Sequence, residues 1–190
     1  MCRDGHGEKS CRAVYTDFAD GKQTSYSVKV NGEKVEGCIE KGYFSISRRW
    51  KKGDVVEVSF DMTPRLVLAD EKVEADRGML AIERGPLVYC AEWCDNQGID
   101  LFSVLLPRKP KLEIMDEKAP GGAQMISAGV QTLSYDAEGK LHASDAVLKL
   151  IPYYVWANRG EGKMMVWLPY EAGAVHLGPA LGVGTNELFG

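Results

Sequence analysis

Residues 42–66 read GYFSISRRWKKGDVVEVSFDMTPRL, and the reading of this stretch decides the fold. Val56, Val58 and Phe60 fall on one face, with Glu57, Ser59 and Asp61 on the other. That is the two-residue period of a half-buried β-strand. Upstream, Phe44 and Ile46 alternate with Ser45 and Ser47, and Trp50 ends that strand. Lys52-Gly53-Asp54 supplies the turn residues between the two runs, and Pro64 closes the block.

The same signal continues in both directions. Val28 and Val30 flank Lys29, and Asn31-Gly32 follows. Asn-Gly between extended segments favours a two-residue type I′ hairpin, because both residues tolerate positive φ. Residues 1–25 are polar and glycine-containing and read as loop or disorder. Downstream, the charged run DEKVEADR at 70–77 reads as a connection between two sheets. Met79–Glu83 and Leu87–Ala91 are strands separated by Gly85-Pro86, and the second is apolar on both faces, as a central strand requires. Phe102, Val104 and Leu106 alternate, and Leu112 and Ile114 follow the prolines at 107 and 110. Residues 124–133 are weakly β, whereas Val147–Ile151 and Met164–Leu168 are strong.

No segment keeps an apolar 3.6-residue period with caps for three turns. Short strands at close spacing with turn residues between them predict an all-β chain. The expected architecture is a jelly-roll-like β-sandwich made of two packed antiparallel modules. Residues 1–11 are assigned to loop or disorder, 12–70 to a partial sandwich, 71–170 to a second, fuller sandwich, and 171–190 to a flexible tail.

Composition sets limits on function. Of 190 residues, 45% are hydrophobic and 26% charged, which supports a packed core and excludes wholesale disorder. The net charge of −4 gives no bulk attraction to nucleic acid or anionic lipid. No apolar run approaches the ~20 residues of a membrane-spanning helix, and the N-terminal MCRDGHGEKSC lacks the apolar core of a secretory signal. The five cysteines, Cys2, Cys11, Cys38, Cys90 and Cys94, are odd in number and irregular in spacing, which argues against a disulfide framework.

Chemistry-bearing constellations are sparse. His6, His142 and His176 are isolated, and Cys90-x3-Cys94 has no second pair to complete a zinc cage. Glu92 and Asp95 beside Cys94 oppose thiolate formation. Glu74, Asp76, Glu83 and Glu92 are the acids that a glycosidase pair would draw on. The chain carries 27 acidic residues, however, and Asp76-Arg77-Gly78 has the look of a local turn. Tyr153, Tyr154 and Trp156 precede Asn158-Arg159, and flat rings beside amide and guanidinium donors suit stacking against a sugar. Tyr154, Trp156 and Asn158 are therefore the candidate carbohydrate contacts. The competing reading places alternate rings in the sandwich core.

Three stretches, GYFSISRRWKKGDVVEVSFDMTPRL (42–66), VEADRGMLAIERGPLVYCAE (73–92) and IPYYVWANRGEGKMMVWLP (151–169), carry a resemblance, to which VKVNGEKVE (28–36) adds. In this order and spacing they resemble the C-terminal region of glycoside hydrolase family 127, typified by β-L-arabinofuranosidases, from about residue 15 to residue 169. The resemblance implies β-sandwich modules that follow a helical (α/α)6 barrel. It places catalysis, by a zinc-bound cysteine nucleophile, in that barrel. None of the barrel motifs occurs here, so the expectation is an accessory region with no catalytic residue and no cofactor of its own, zinc belonging only to the barrel. Cys90 falls in the family's PLVYC strand and not in its catalytic cysteine pair. The family's strand of type RIPxWA, which precedes the region matching 15–30, is missing, and the tail beyond Pro169 matches nothing in the family. Expected partners are the catalytic barrel, a second copy meeting an exposed strand edge, and carbohydrate. A carbohydrate-binding module, and a free-standing hydrolase using Glu83 or Asp76, are the two alternatives. Nothing in the sequence fixes the compartment.

Overall fold

The computed structural model describes residues 15–17, 25–40, 43–70 and 72–177. Every regular element of more than one turn is a β-strand: β1 (Tyr15–Asp17), β2 (Tyr26–Val30), β3 (Glu33–Lys34), β4 (Cys38–Glu40), β5 (Tyr43–Ser45), β6 (Val56–Phe60), β7 (Pro64–Ala69), β8 (Met79–Arg84), β9 (Leu87–Glu92), β10 (Val104–Leu105), β11 (Leu112–Ala119), β12 (Ala123–Tyr135), β13 (Leu141–Pro152), β14 (Met164–Met165) and β15 (Leu168–Pro169). All pairings are antiparallel. The chain is thus an all-β sandwich protein, as the alternation predicts.

The large sheet runs β1-β7-β8-β9-β13-β12-β10, with β11 added to β12, β14 to β9 and β15 to β8. Its middle strands are buried on both faces. Leu80, Ile82, Tyr89, Ala91, Ile126, Ala128, Leu148 and Leu150 belong to the main core. Cys90, Met125, Ile151 and Val155 form a second core on the alternate residues. This is why Leu87–Ala91 carries no polar face: Leu87, Tyr89 and Ala91 turn to one apolar layer and Cys90 to the other. The Gly85-Pro86 break is the two-residue turn of the β8–β9 hairpin, with Arg84 opposite Leu87 and Gly85 at φ 58°.

A smaller sheet, β3-β2-β6, and the β4–β5 hairpin precede the large one. Asn31 and Gly32 have φ of 54° and 80°, as a type I′ turn requires. The Asn31 side chain locks this turn to the next one. It donates to Asp54 Oδ1 at 2.9 Å and accepts from the Val55 N–H at 2.9 Å. The sheet change falls between Phe60 and Pro64, since β7 already pairs with β8. The open side of the small sheet is apolar: Tyr26, Val28, Ile39, Phe44, Ile46, Val56, Val58 and Phe60 line one groove. Val28 is covered, yet Val56, Val58 and Phe60 remain exposed.

Three differences from the sequence reading have physical causes. Residues 123–135 form the longest strand despite weak propensity, because β11 and β13 pair with both of its edges. Tyr15–Asp17, inside the expected N-terminal loop, pairs with β7. At the start of the expected tail Glu171 donates to Gly78 O and pairs with Arg108 at 3.6 Å, and Val175 donates to Ala172 O.

Asn96 joins the two central strands where they diverge. β13 pairs with β9 only at Leu150–Pro152. At the next peptide the buried Asn96 takes over, donating to Lys149 O at 2.9 Å and accepting from Lys149 N–H at 2.7 Å. It also donates to Glu92 O at 2.8 Å. Replacing Asn96 by Ala leaves buried peptide groups without partners. We expect a loss of about 2–3 kcal/mol of unfolding free energy at unchanged urea m-value, measured by chemical denaturation.

Candidate functional site

The sequence-predicted contacts lie beside the end of β9. There the chain turns through residues 93–95, while residues 153–163 cross over from β13. Glu92 is 2% exposed, and a buried carboxylate must be partnered. One oxygen accepts the Ala157 N–H at 2.9 Å, and the other accepts from the Arg159 guanidinium. Arg159 also grips Asp95 through two N–H bonds of 2.6 and 2.5 Å. The two carboxylates keep the guanidinium charged and raise its pKa, with the Asp95 bonds as the largest cause. Ala157 adopts φ 64°, a left-handed conformation unusual for a residue with a Cβ. The Glu92 bond to its N–H helps hold it there.

Gly162 closes the crossing. A Cβ at that position would lie 1.9 Å from Trp93 Cδ1, so the chain passes the indole with no room for a side chain. Glu92, Trp156, Ala157, Gly160, Glu161 and Gly162 line an open groove of about 400 Å³.

The three candidate carbohydrate contacts have different settings. Tyr154 is 65% exposed. Trp156 is half-buried against the second core, its ring 5.7 Å from that of Tyr153 and tilted by 36°, while its outer side borders the groove. Asn158 spends an amide hydrogen on Val155 O at 3.0 Å. Core packing and surface presentation are thus divided among these residues.

The acids raised as a catalytic pair have different settings. Glu83 is ion-paired with Arg65. Asp76 sits on a single 3₁₀ turn, its pKa raised by burial. The Glu92, Cys94 and Asp95 donor atoms lie within 4.8 Å of one another, a spacing that suits a cation. The Arg159 guanidinium bonds both carboxylates of this set, so a metal ion does not fit without displacing it. Burial pushes the Cys90 thiol up to about 12, helped by Glu92 and Asp95. Cys94 is also raised, by burial first and then by its bond to Glu92. Both are free thiols, whereas Cys38 is disulfide-bonded. His142 pairs with Asp136 at 2.6 Å, His176 is exposed, and His6 lies outside the described residues. Sequence spacing could not expose the Glu92–Arg159–Asp95 cluster, since its members meet only through the strand topology.

In this all-β region Glu83, Glu92 and Asp95 are engaged in ion pairs with Arg65 and Arg159. Residues 64–169 match the glycoside hydrolase family 127 C-terminal domain, and residues 19–62 match the β-L-arabinofuranosidase GH127 middle domain. The chain belongs to glycoside hydrolase family 127 and corresponds to a non-catalytic region of it. It is 34% identical over 161 residues to a non-reducing end β-L-arabinofuranosidase of Bifidobacterium longum subsp. longum, covering 75% of this chain and 24% of that protein. A solved GH127 β-arabinofuranosidase shares 50% identity over 86% of this chain and 26% of its own, with a TM-score of 0.74. A GH127 β-L-arabinofuranosidase from Geobacillus stearothermophilus T6 shares 36% identity over 76% of this chain and 24% of its own, with a TM-score of 0.64. The chain therefore spans about a quarter of the length of these relatives.

Two outcomes are expected. Arg159→Met strands two acids, one fully buried, and lowers stability by about 3 kcal/mol in urea denaturation. Arg159→Lys recovers only part of this, because an ammonium cannot bridge both carboxylates with a planar fork. Cys94, its pKa raised, stays protonated above the range where an ordinary thiol ionises. Iodoacetamide labelling read by mass spectrometry should accelerate only at a pH above that of a free cysteine.

Proposed function

We propose that this region supports the catalytic domain of a β-L-arabinofuranosidase-type glycoside hydrolase and takes no part in bond cleavage. The observation that carries this reading is the state of Glu92, the most buried acid of the chain's candidates: both oxygens are committed, one to a backbone N–H and one to Arg159. A general acid or nucleophile must present a free oxygen to its substrate. The similarity to the GH127 middle and C-terminal domain models supports a place beside the catalytic domain of a larger enzyme. The exposed Val56, Val58 and Phe60 offer an apolar surface for such a contact.

A second reading rests on Tyr154, whose exposed ring neighbours the groove-lining Trp156. In that reading Tyr154, Trp156 and Asn158 hold an arabinose-containing oligosaccharide, by stacking and one hydrogen bond from the Asn158 amide.

Two experiments test these readings. The purified chain should release no nitrophenol from nitrophenyl β-L-arabinofuranoside above the uncatalysed rate. A chimera carrying this chain in place of the matching quarter of the Bifidobacterium relative should stay active. Turnover by the isolated chain that vanished in Glu83→Gln or Asp76→Asn would overturn the accessory role. For the second reading, tryptophan fluorescence titrated with arabino-oligosaccharides should shift in the wild type and not in Tyr154→Ala. A flat titration of the wild type removes it.

A further inference from the structure

Asn31-Gly32 is the chain's one Asn-Gly pair, and it carries a chemistry that the hairpin does not need. An asparagine followed by glycine can close a ring on itself. The backbone nitrogen of the glycine attacks the side-chain Cγ, and ammonia leaves. Three features of this turn favour the attack. Both residues are exposed. A Cβ at Gly32 would meet nothing within 4 Å, so no neighbour crowds the ring. The Gly32 N–H donates to no described backbone group, so the attacking nitrogen gives up no such bond.

A fourth feature opposes it. The Asn31 side chain is held at both ends, by Nδ2 donating to Asp54 Oδ1 and by Oδ1 accepting from the Val55 N–H, each at 2.9 Å. The Asn31 N–H donates to Val55 O, also at 2.9 Å. Ring closure requires Cγ to eclipse the backbone carbonyl carbon, off any staggered rotamer. The pinned amide must leave Asp54 and Val55 to do so.

We propose that Asn31 is a spontaneous deamidation site, gated by its side-chain bonds to Asp54 and Val55, and that conversion breaks this lock for good. In the first step the Gly32 N–Cγ bond forms, the Cγ–Nδ2 bond breaks, and the Gly32 proton leaves with the amide nitrogen as ammonia. Water then opens the imide at either carbonyl. The product is an aspartate, or an isoaspartate whose backbone runs through Cγ. The aspartate puts a carboxylate where the amide donor stood. Asp54, held below the usual carboxylate range chiefly by the Asn31 amide, is itself ionised at neutral pH. Its Oδ2 already accepts from the Lys51 N–H at 2.8 Å, with Arg48 at 3.8 Å, so the new carboxylate meets Oδ1. Two carboxylates at hydrogen-bonding distance cannot both stay ionised in place, and the turns part. The isoaspartate adds a backbone atom to a two-residue turn, which breaks the Val30↔Glu33 register.

The full chain, incubated warm at mildly alkaline pH and mapped by peptide mass spectrometry, should convert at Asn31 ahead of Asn96 and Asn158, with ammonia released in step. Asp54→Ala frees the amide and should speed conversion about tenfold. Asp54→Asn, which keeps an acceptor, should fall between, and circular dichroism checks that both variants are folded. Asn31→Asp supplies the product directly. Hydrogen exchange at the β2 and β6 amides should then quicken, while β12 and β13 stay as in the wild type. An Asn31 that remains an amide in the folded wild type and in Asp54→Ala, while the urea-unfolded chain converts, overturns the site. Equal rates in the wild type and Asp54→Ala overturn the gate, and unchanged exchange in Asn31→Asp overturns the broken lock.

Discussion

A buried peptide group without a partner costs more than most side-chain contacts return, and the arrangement of the central strands follows from how Asn96 meets that constraint. β9 leaves β13 after Pro152↔Tyr89, Ile151↔Cys90 and Leu150↔Ala91. At the point of divergence one asparagine amide reproduces the donor and acceptor of the lost strand. β9 is thereby free to turn at Glu92, and β13 is free to continue outward with β12 alone. The buried crossing and the open edge are two results of the same substitution of a side chain for a strand.

The Glu92–Arg159–Asp95 cluster fixes what the divergence releases. Without it, residues 153–163 would be an exposed loop, and Ala157 would have little reason to stay at positive φ. The cluster also takes Glu92 and Asp95 out of any acid–base pair. Buried carboxylates are retained here as anchors for a guanidinium and a backbone N–H. A carboxylate that holds structure in this way cannot present its lone pairs to a substrate. The same geometry fills the place that a cation would need beside Cys94.

Much of the fold was legible in the chain itself. The alternation in VEVSF, the Asn-Gly turn and the doubly apolar LVYCA each correspond to an observed strand or turn, because each depends on neighbours close in sequence. β12 was only weakly legible. Its small and polar residues, such as Ser127 and Gly129, give weak propensity, and pairing with β11 and β13 supplies what propensity lacks. The candidate site was legible only in part. Tyr154 is exposed, as a contact residue should be, while Trp156 leans on the core and Asn158 turns to its own backbone. Neither the partnership of Glu92 with Arg159 nor the role of Asn96 leaves a local trace, since each joins segments far apart in the chain.

The two sheets differ in how completely they satisfy themselves. The large sheet has apolar layers on both faces, and its central strands bury whole side chains. The small sheet has three strands, a hairpin laid over part of one face, and an apolar groove that no described residue fills. Two- and three-stranded sheets gain little stability without a covering layer. The small sheet is held instead by its turns, where Asn31 and Asp54 lock two hairpin ends together. The Asn31–Asp54 bond is exposed and strongest with an ionised Asp54, whose pKa is lowered chiefly by the Asn31 amide. A carboxyl group depressed on folding contributes stability above its unfolded pKa and loses it as the pH falls through the folded value. Acid therefore weakens this turn lock while leaving the apolar layers of the large sheet untouched. The region that offers the barest apolar surface is thus also the one with the least covering layer of its own.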